Sequence, residues 1–218
     1  TNAIRLVIEN SENPASIKEV EVVHQRPVEL NNEFINMAYM TGNSYQHGWD
    51  PIEPQKMDTF TDLTLIGNWM FDKNGDFVIM LEKYGPGGFD HAMDPKSDEA
   101  ISEMEKWMKN IESYMGKKRP NIWISLTCMK FMENADGTPA NGVEGGQTDI
   151  FLDDTIRANF VAEFVEYVKK YDFYGVDIDW EYPATSSQWQ AYNLLVQDLA
   201  DALHADGRYI STAQSRGT

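Results

Sequence analysis

The 218-residue chain has a single cysteine, Cys128, so no intrachain disulfide can staple it. A small cystine-framed domain is thereby excluded, while a secreted bacterial enzyme that does without disulfides stays open. Cys128 sits in an apolar stretch and reads as a small core residue rather than a nucleophile. Positive charge is also scarce: 18 Lys and Arg stand against 35 Asp and Glu, a net charge of -17. Such a chain repels phosphate backbones and anionic bilayers, which sets nucleic acid and membrane surfaces aside as partners. It disfavours an anionic polysaccharide for the same reason but leaves a neutral glycan open, and solubility alone also accounts for the charge. No apolar run approaches the length of a membrane span. No signal-like segment follows Thr1, and the expectation is that a leader or an upstream domain has been removed. Gly85-Pro-Gly-Gly88 lacks the Lys-Ser/Thr of a phosphate loop, so no nucleotide is assigned to it. His47 and His91 read as solvated loop residues.

The chain does carry flat rings, six Trp and ten Tyr, which serve equally as core residues and as faces on which sugars stack. Residues 1–30 read as a β hairpin, two strands around a polar turn with Pro14, set apart from a main domain over 31–218. Strands are expected at Phe34–Tyr39, Thr61–Phe71, Ile122–Leu126, Tyr174–Glu181 and Arg208–Ala213. Helices are expected at Ser97–Met115, Phe151–Tyr171 and Ser187–His204, the first two with apolar residues on one face. Strands separated by helices mean an α/β protein with a parallel sheet. The alternation alone does not separate a (β/α)8 barrel from an open, doubly wound sheet.

The strand Tyr174-Gly-Val-Asp177-Ile-Asp179-Trp-Glu181-Tyr-Pro183 carries the chemistry. Side chains alternate along a strand, so Asp177, Asp179 and Glu181 share one face and Val176, Ile178 and Trp180 the other. Carboxylates about 7 Å apart along a buried strand repel and desolvate one another, so some of them must hold protons. Such clusters mark chemistry or a metal site. A hard cation could use three carboxylates, but no His or further acid is spaced to complete a shell. Solvated acids on an edge strand would not leave the opposite face so apolar.

The same strand, with its Asp-x-Asp-x-Glu core and Trp-Glu-Tyr-Pro ending, resembles the signature of family 18 glycoside hydrolases, and of chitinases in particular. Phe34–Tyr39, Leu63–Trp69, Ile122–Thr127 and Arg208–Ala213 are similar to that family's first, second, third and fifth strands. The resemblance implies a TIM-type (β/α)8 barrel whose active site lies at the C-terminal ends of its strands. It implies retaining, substrate-assisted hydrolysis of β-1,4-linked N-acetylglucosamine, with chitin or its oligomers as partner and no cofactor. Glu181 would then be the general acid. Asp179 would orient the N-acetyl group and steady the oxazolinium, and Asp177 would share a proton with Asp179. Tyr39, Trp69, Tyr182, Tyr174 and Ser125 are the expected sugar-binding residues, with Tyr45, Trp49 and Trp123 as further candidates for stacking. The substrate class implies an extracellular setting. An endo-β-N-acetylglucosaminidase and a glycan-binding member without turnover are the alternatives.

The chain departs from the family pattern in three places. Tyr174 stands where the signature has its first Asp, and its phenol is expected to bond to Asp177. Ser125-Leu-Thr-Cys128 replaces Ser-x-Gly-Gly, so Thr127 and Cys128 are expected to narrow the cleft. Five strands fall short of the barrel's eight, and such barrels take about 250 residues. The rest of the barrel is therefore expected from a longer polypeptide or an assembly.

Overall fold

The computed structural model describes residues 35–41, 59–82, 89–115, 119–128, 148–180 and 183–213. The hairpin expected over residues 1–30, the loop with Tyr45, His47 and Trp49, and Gly85–Gly88 lie outside these residues.

Among the described residues, seven strands form one sheet: β1 (Met37–Thr41), β2 (Asp62–Phe71), β3 (Phe77–Glu82), β4 (Phe89–Met93), β5 (Asn121–Cys128), β6 (Gly175–Ile178) and β7 (Tyr209–Thr212). Their order is β4-β3-β2-β5-β6-β7, with β1 beside β2. The pairs β1–β2, β2–β5, β5–β6 and β6–β7 are parallel, and a helix lies in each of the last three connections.

The sheet is mixed, and that corrects the all-parallel expectation. β3 pairs antiparallel with β2 and β4 antiparallel with β3, and His91 lies in β4 rather than in a loop. The Asp72 carboxylate accepts from the backbone N–H groups of Asn74 and Asp76 at 2.8 and 2.9 Å, which folds the chain back on itself. Phe77 then packs edge-on against Phe164 and Tyr167. β1 runs over Met37–Thr41, two residues further on than the strand end expected at Tyr39.

β2 changes neighbours along its length. Its first half pairs with β1 and its last three residues, Trp69–Phe71, pair with β3. Between the halves, Leu65 to Trp69 spans only Ile124 to Leu126 of β5, a bulge of two extra residues. Gly67 takes φ 106° there, a left-handed conformation that side chains resist.

Three helices among the described residues cover one face: α1 (Asp98–Tyr114), α2 (Asp154–Lys170) and α3 (Ser186–Ala205). Local chemistry starts each of them. Ser97 accepts from Ala100 N–H, Asp153 accepts from Thr155 and Ile156, and Thr185 with Gln188 forms a capping box. Of the apolar faces read from the sequence, Met104, Trp107 and Ile111 on α1 and Phe160, Phe164, Tyr167 and Val168 on α2 are buried; Leu195, Leu199 and Leu203 are the buried residues of α3. They meet Leu63, Leu65, Phe71, Ile124, Leu126, Val176 and Ile178 of the sheet in one core. Arg157 crosses from α2 to Asp198 of α3 at 2.7 Å and also holds Phe151 O at 2.6 Å, so the two helices are tied together.

Candidate active site

Register decides which side chains share the face turned away from the helices. Tyr39, Thr64, Trp123, Gly175 and Tyr209 lie in one layer across β1, β2, β5, β6 and β7. Ser125, Asp177 and Ser211 form the next layer toward the C-terminal ends of the strands. Thr127 and Asp179 follow. Below them all, Asp62 pairs with Asn121. The alternation read from the sequence therefore holds for the described part of the strand: Asp177 faces away from the helices, while Val176, Ile178 and Trp180 are buried in the core. Trp180 packs edge-on against Phe71 and Tyr192.

Asp177 is 2% exposed and is held by two hydroxyls. Ser211 donates to Oδ1 at 2.7 Å and Tyr39 donates to Oδ2 at 3.2 Å. Burial raises the Asp177 pKa above the ordinary carboxylate value, and the two hydroxyl bonds oppose that rise without cancelling it. The Tyr39 phenol is pushed up to about 12, first by burial, then by the nearby charge of Asp177, the bond to it, and Asp179. It therefore stays a donor at any physiological pH. Asp179 lies past the end of β6. Its N–H donates to Leu126 O at 2.9 Å, and Thr127 donates its hydroxyl to Asp179 O at 2.6 Å. Both bonds fix the backbone that carries Asp179 beside Asp177.

Several expectations change. Trp69 is not a sugar contact: it is fully buried on the helix side, donates to Tyr167 Oη at 3.1 Å, and meets Trp107 and Phe173 edge-on. The phenol of Tyr39, rather than that of Tyr174, holds Asp177. Tyr174 precedes β6, and about five strand residues, roughly 16 Å, separate it from Asp179 at the other end. Its ring stacks on Tyr209 with centroids 4.7 Å apart, which places it at the floor and not at a C-terminal mouth. Ser125 is 2% exposed in the Asp177 layer, a partner of the carboxylate layer rather than an open sugar contact. Cys128 is fully buried in the core on the helix side and cannot narrow a cleft on the other face, whereas Thr127 does lie on the cleft side. Trp123 lies on the carboxylate face but in its floor layer. Glu181 and Tyr182 lie outside the described residues.

Ser211 is the residue that sequence reasoning missed. A lone Ser in a short strand carries no signal, and only the pairing of Asp177 with Ser211 brings it into place.

Residues 143–217, about a third of the chain, match the family model for Glycosyl hydrolases family 18, and over short stretches the chain is similar to chitinases. It is 43% identical over 49 residues to Endochitinase 1 of Metarhizium robertsii, covering 22% of this chain and 12% of the relative. It is 36% identical over 58 residues to the Endochitinase of Manduca sexta, covering 24% of this chain and 10% of the relative. In structure it is similar to the class V chitinase of Nicotiana tobaccum, with a TM-score of 0.51 and 14% identity over 83% of this chain and 44% of the other. The chain thus spans under half of that structure and a small part of the curated relatives. At such identity the structural likeness shows a shared α/β fold.

Proposed function

We propose that the chain forms part of a chitinase-like hydrolase that cleaves β-1,4-linked N-acetylglucosamine with retention, the N-acetyl group of the substrate acting as nucleophile. The observation that carries this reading is the placement of Asp177: buried, turned away from the helices, and held by Tyr39 and Ser211 with Asp179 next to it. The alternation read from the sequence assigns Glu181 to the same face. In the proposed cycle Glu181 protonates the glycosidic oxygen, and the N-acetyl carbonyl oxygen attacks the anomeric carbon as the bond breaks. Asp179 orients the N-acetyl group and balances the oxazolinium charge. Asp177 takes up the proton shared with Asp179, which suits a carboxyl group whose burial favours its neutral form. Water then opens the oxazolinium, its proton passing to Glu181. The chemistry needs no metal or organic cofactor.

The described sheet is taken as barrel strands one to five, in the order β1-β2-β5-β6-β7, with β3 and β4 as an added hairpin. Further strands would close it between β7 and β1. A variant of the Nicotiana tobaccum chitinase is in complex with NAG4, at a TM-score of 0.51 to this chain. That complex supports chito-oligosaccharides as the first substrates to try.

Turnover of a fluorogenic chito-oligosaccharide by the full-length protein, compared with its Glu181→Gln variant, tests the reading. A loss of at least about a hundredfold in kcat is expected. Full turnover in the Gln variant overturns the acid assignment. Binding without turnover in the unaltered protein favours a glycan-binding role.

A further inference from the structure

The layer beneath Asp177 is built from rings. Trp123 lies on the carboxylate face of β5, in register with Gly175 of β6. A Cβ placed on Gly175 would lie 2.4 Å from Trp123 Cζ3 and 2.8 Å from Tyr209 O, so only glycine lets the indole lie flat over β6. The indole is anchored from below, because Trp123 Nε1 donates to Asp62 Oδ1 at 2.8 Å. Asp62 is itself buried and also accepts from Asn121 Nδ2 at 3.0 Å and Thr61 Oγ1 at 2.7 Å. Tyr174 braces the ring edge-on at 5.5 Å, and Tyr209 lies against it at 6.3 Å. Trp123 therefore stands between two buried carboxylates, Asp62 one layer below it and Asp177 one layer above.

We propose that Trp123, laid over Gly175 and locked by Asp62, is a positioning residue for Asp177: it closes the N-terminal end of the carboxylate face and keeps water from Asp177 from below. The floor is aromatic at the position where the family resemblance leads one to expect a further carboxylate, Tyr174. The groups that face Asp177 are Tyr39 from β1, Ser125 from β5, Asp179 from its own chain and Ser211 from β7, with Asp62 of β2 beyond the indole. Water admitted from below would stabilise the ionised form, so the floor acts with burial to raise the pH at which Asp177 loses its proton. Its catalytic meaning rests on the role given to Asp177 above, but its physical content does not.

The test is a 13C carboxyl NMR titration of the folded protein, with the Asp177 signal assigned by its loss in Asp177→Asn. In Trp123→Leu the Asp177 midpoint is expected to fall toward the ordinary carboxylate value. In Trp123→Phe, which keeps a ring but loses the bond to Asp62, most of the elevation is expected to remain. An unchanged midpoint in a folded Trp123→Leu protein overturns the proposal, and so does an equal fall in the Phe and Leu variants. Should Trp123→Leu fail to fold, Tyr209→Leu opens the same floor from the β7 side, and its midpoint must fall as well. This readout involves no sugar, so its failure is distinct from failure of the hydrolase reading.

Discussion

Ser211 of β7 donates its hydroxyl hydrogen to Oδ1 of Asp177 on the neighbouring strand, at 2.7 Å. Tyr39 donates to the other oxygen at 3.2 Å. Both bonds favour the ionised carboxylate, burial favours the neutral acid, and burial prevails. The group therefore takes up its proton at a higher pH than an ordinary carboxylate.

Ser211→Ala removes one of the bonds that favour the charged form. Asp177 is then expected to titrate at a still higher pH than in the unaltered protein. Near pH 3, where the acid is mostly neutral, the variant should lose about 0.5–1.5 kcal/mol of stability. At neutral pH the loss should be larger, because a charge is left with one hydroxyl instead of two. Urea unfolding at both pH values checks this, and an equal loss at each counts against it.

Asp177→Asn should change how stability depends on pH. The folded pKa of Asp177 lies above its unfolded value of 3.8. The contribution of this group is therefore fully present below the unfolded pKa and is lost as pH rises through the folded one. The melting temperature of Asn variant minus unaltered protein should thus become more positive between acid and neutral pH. A difference that stays flat across that range would show that Asp177 titrates as it does in an unfolded chain.

Trp69→Leu separates a core role from a sugar contact. The indole is fully buried and bonded to Tyr167, so its loss should cost about 3 kcal/mol or more. Affinity for a chito-oligosaccharide, measured calorimetrically on the folded fraction, should be unchanged. A large drop in affinity at preserved stability would return Trp69 to the binding face.

Arg157→Ala should loosen the join between α2 and α3. Its partners Asp154 and Asp198 are 89% and 40% exposed and regain water when the guanidinium is gone. The cost therefore comes mainly from the carbonyl of Phe151 and lost packing, about 1–3 kcal/mol. Differential scanning calorimetry should show a lower melting temperature, with little dependence on salt.

What the sequence made legible was local. The cap of α2 follows from Asp153, which acts within one helical turn. The face of Asp177 follows from simple alternation, because Val176 and Ile178 are apolar and the acids are not. No such contrast exists in β2, where apolar residues of the strand are buried on both faces, so the direction of Trp69 is set only by register with β5. Ser211 reaches Asp177 through a pairing across a whole helix of intervening chain. The hairpin Phe77–Met93 depends on the Asp72 turn and on Phe77 finding α2, a contact between distant segments. Strand character there is a product of tertiary packing.

At Gly67 one strand passes from one neighbour to another, with β1 alongside its lower half and β3 alongside its upper half. The floor with Asp62 and Thr64 belongs to the lower half, and the hairpin attaches only above it. Lengthening or trimming β3 and β4 would thus alter the height of one wall without shifting the register that sets Asp177 beside Ser211. The fold carries an adjustable rim on a fixed foundation, and variation in length among related chains should collect in that rim.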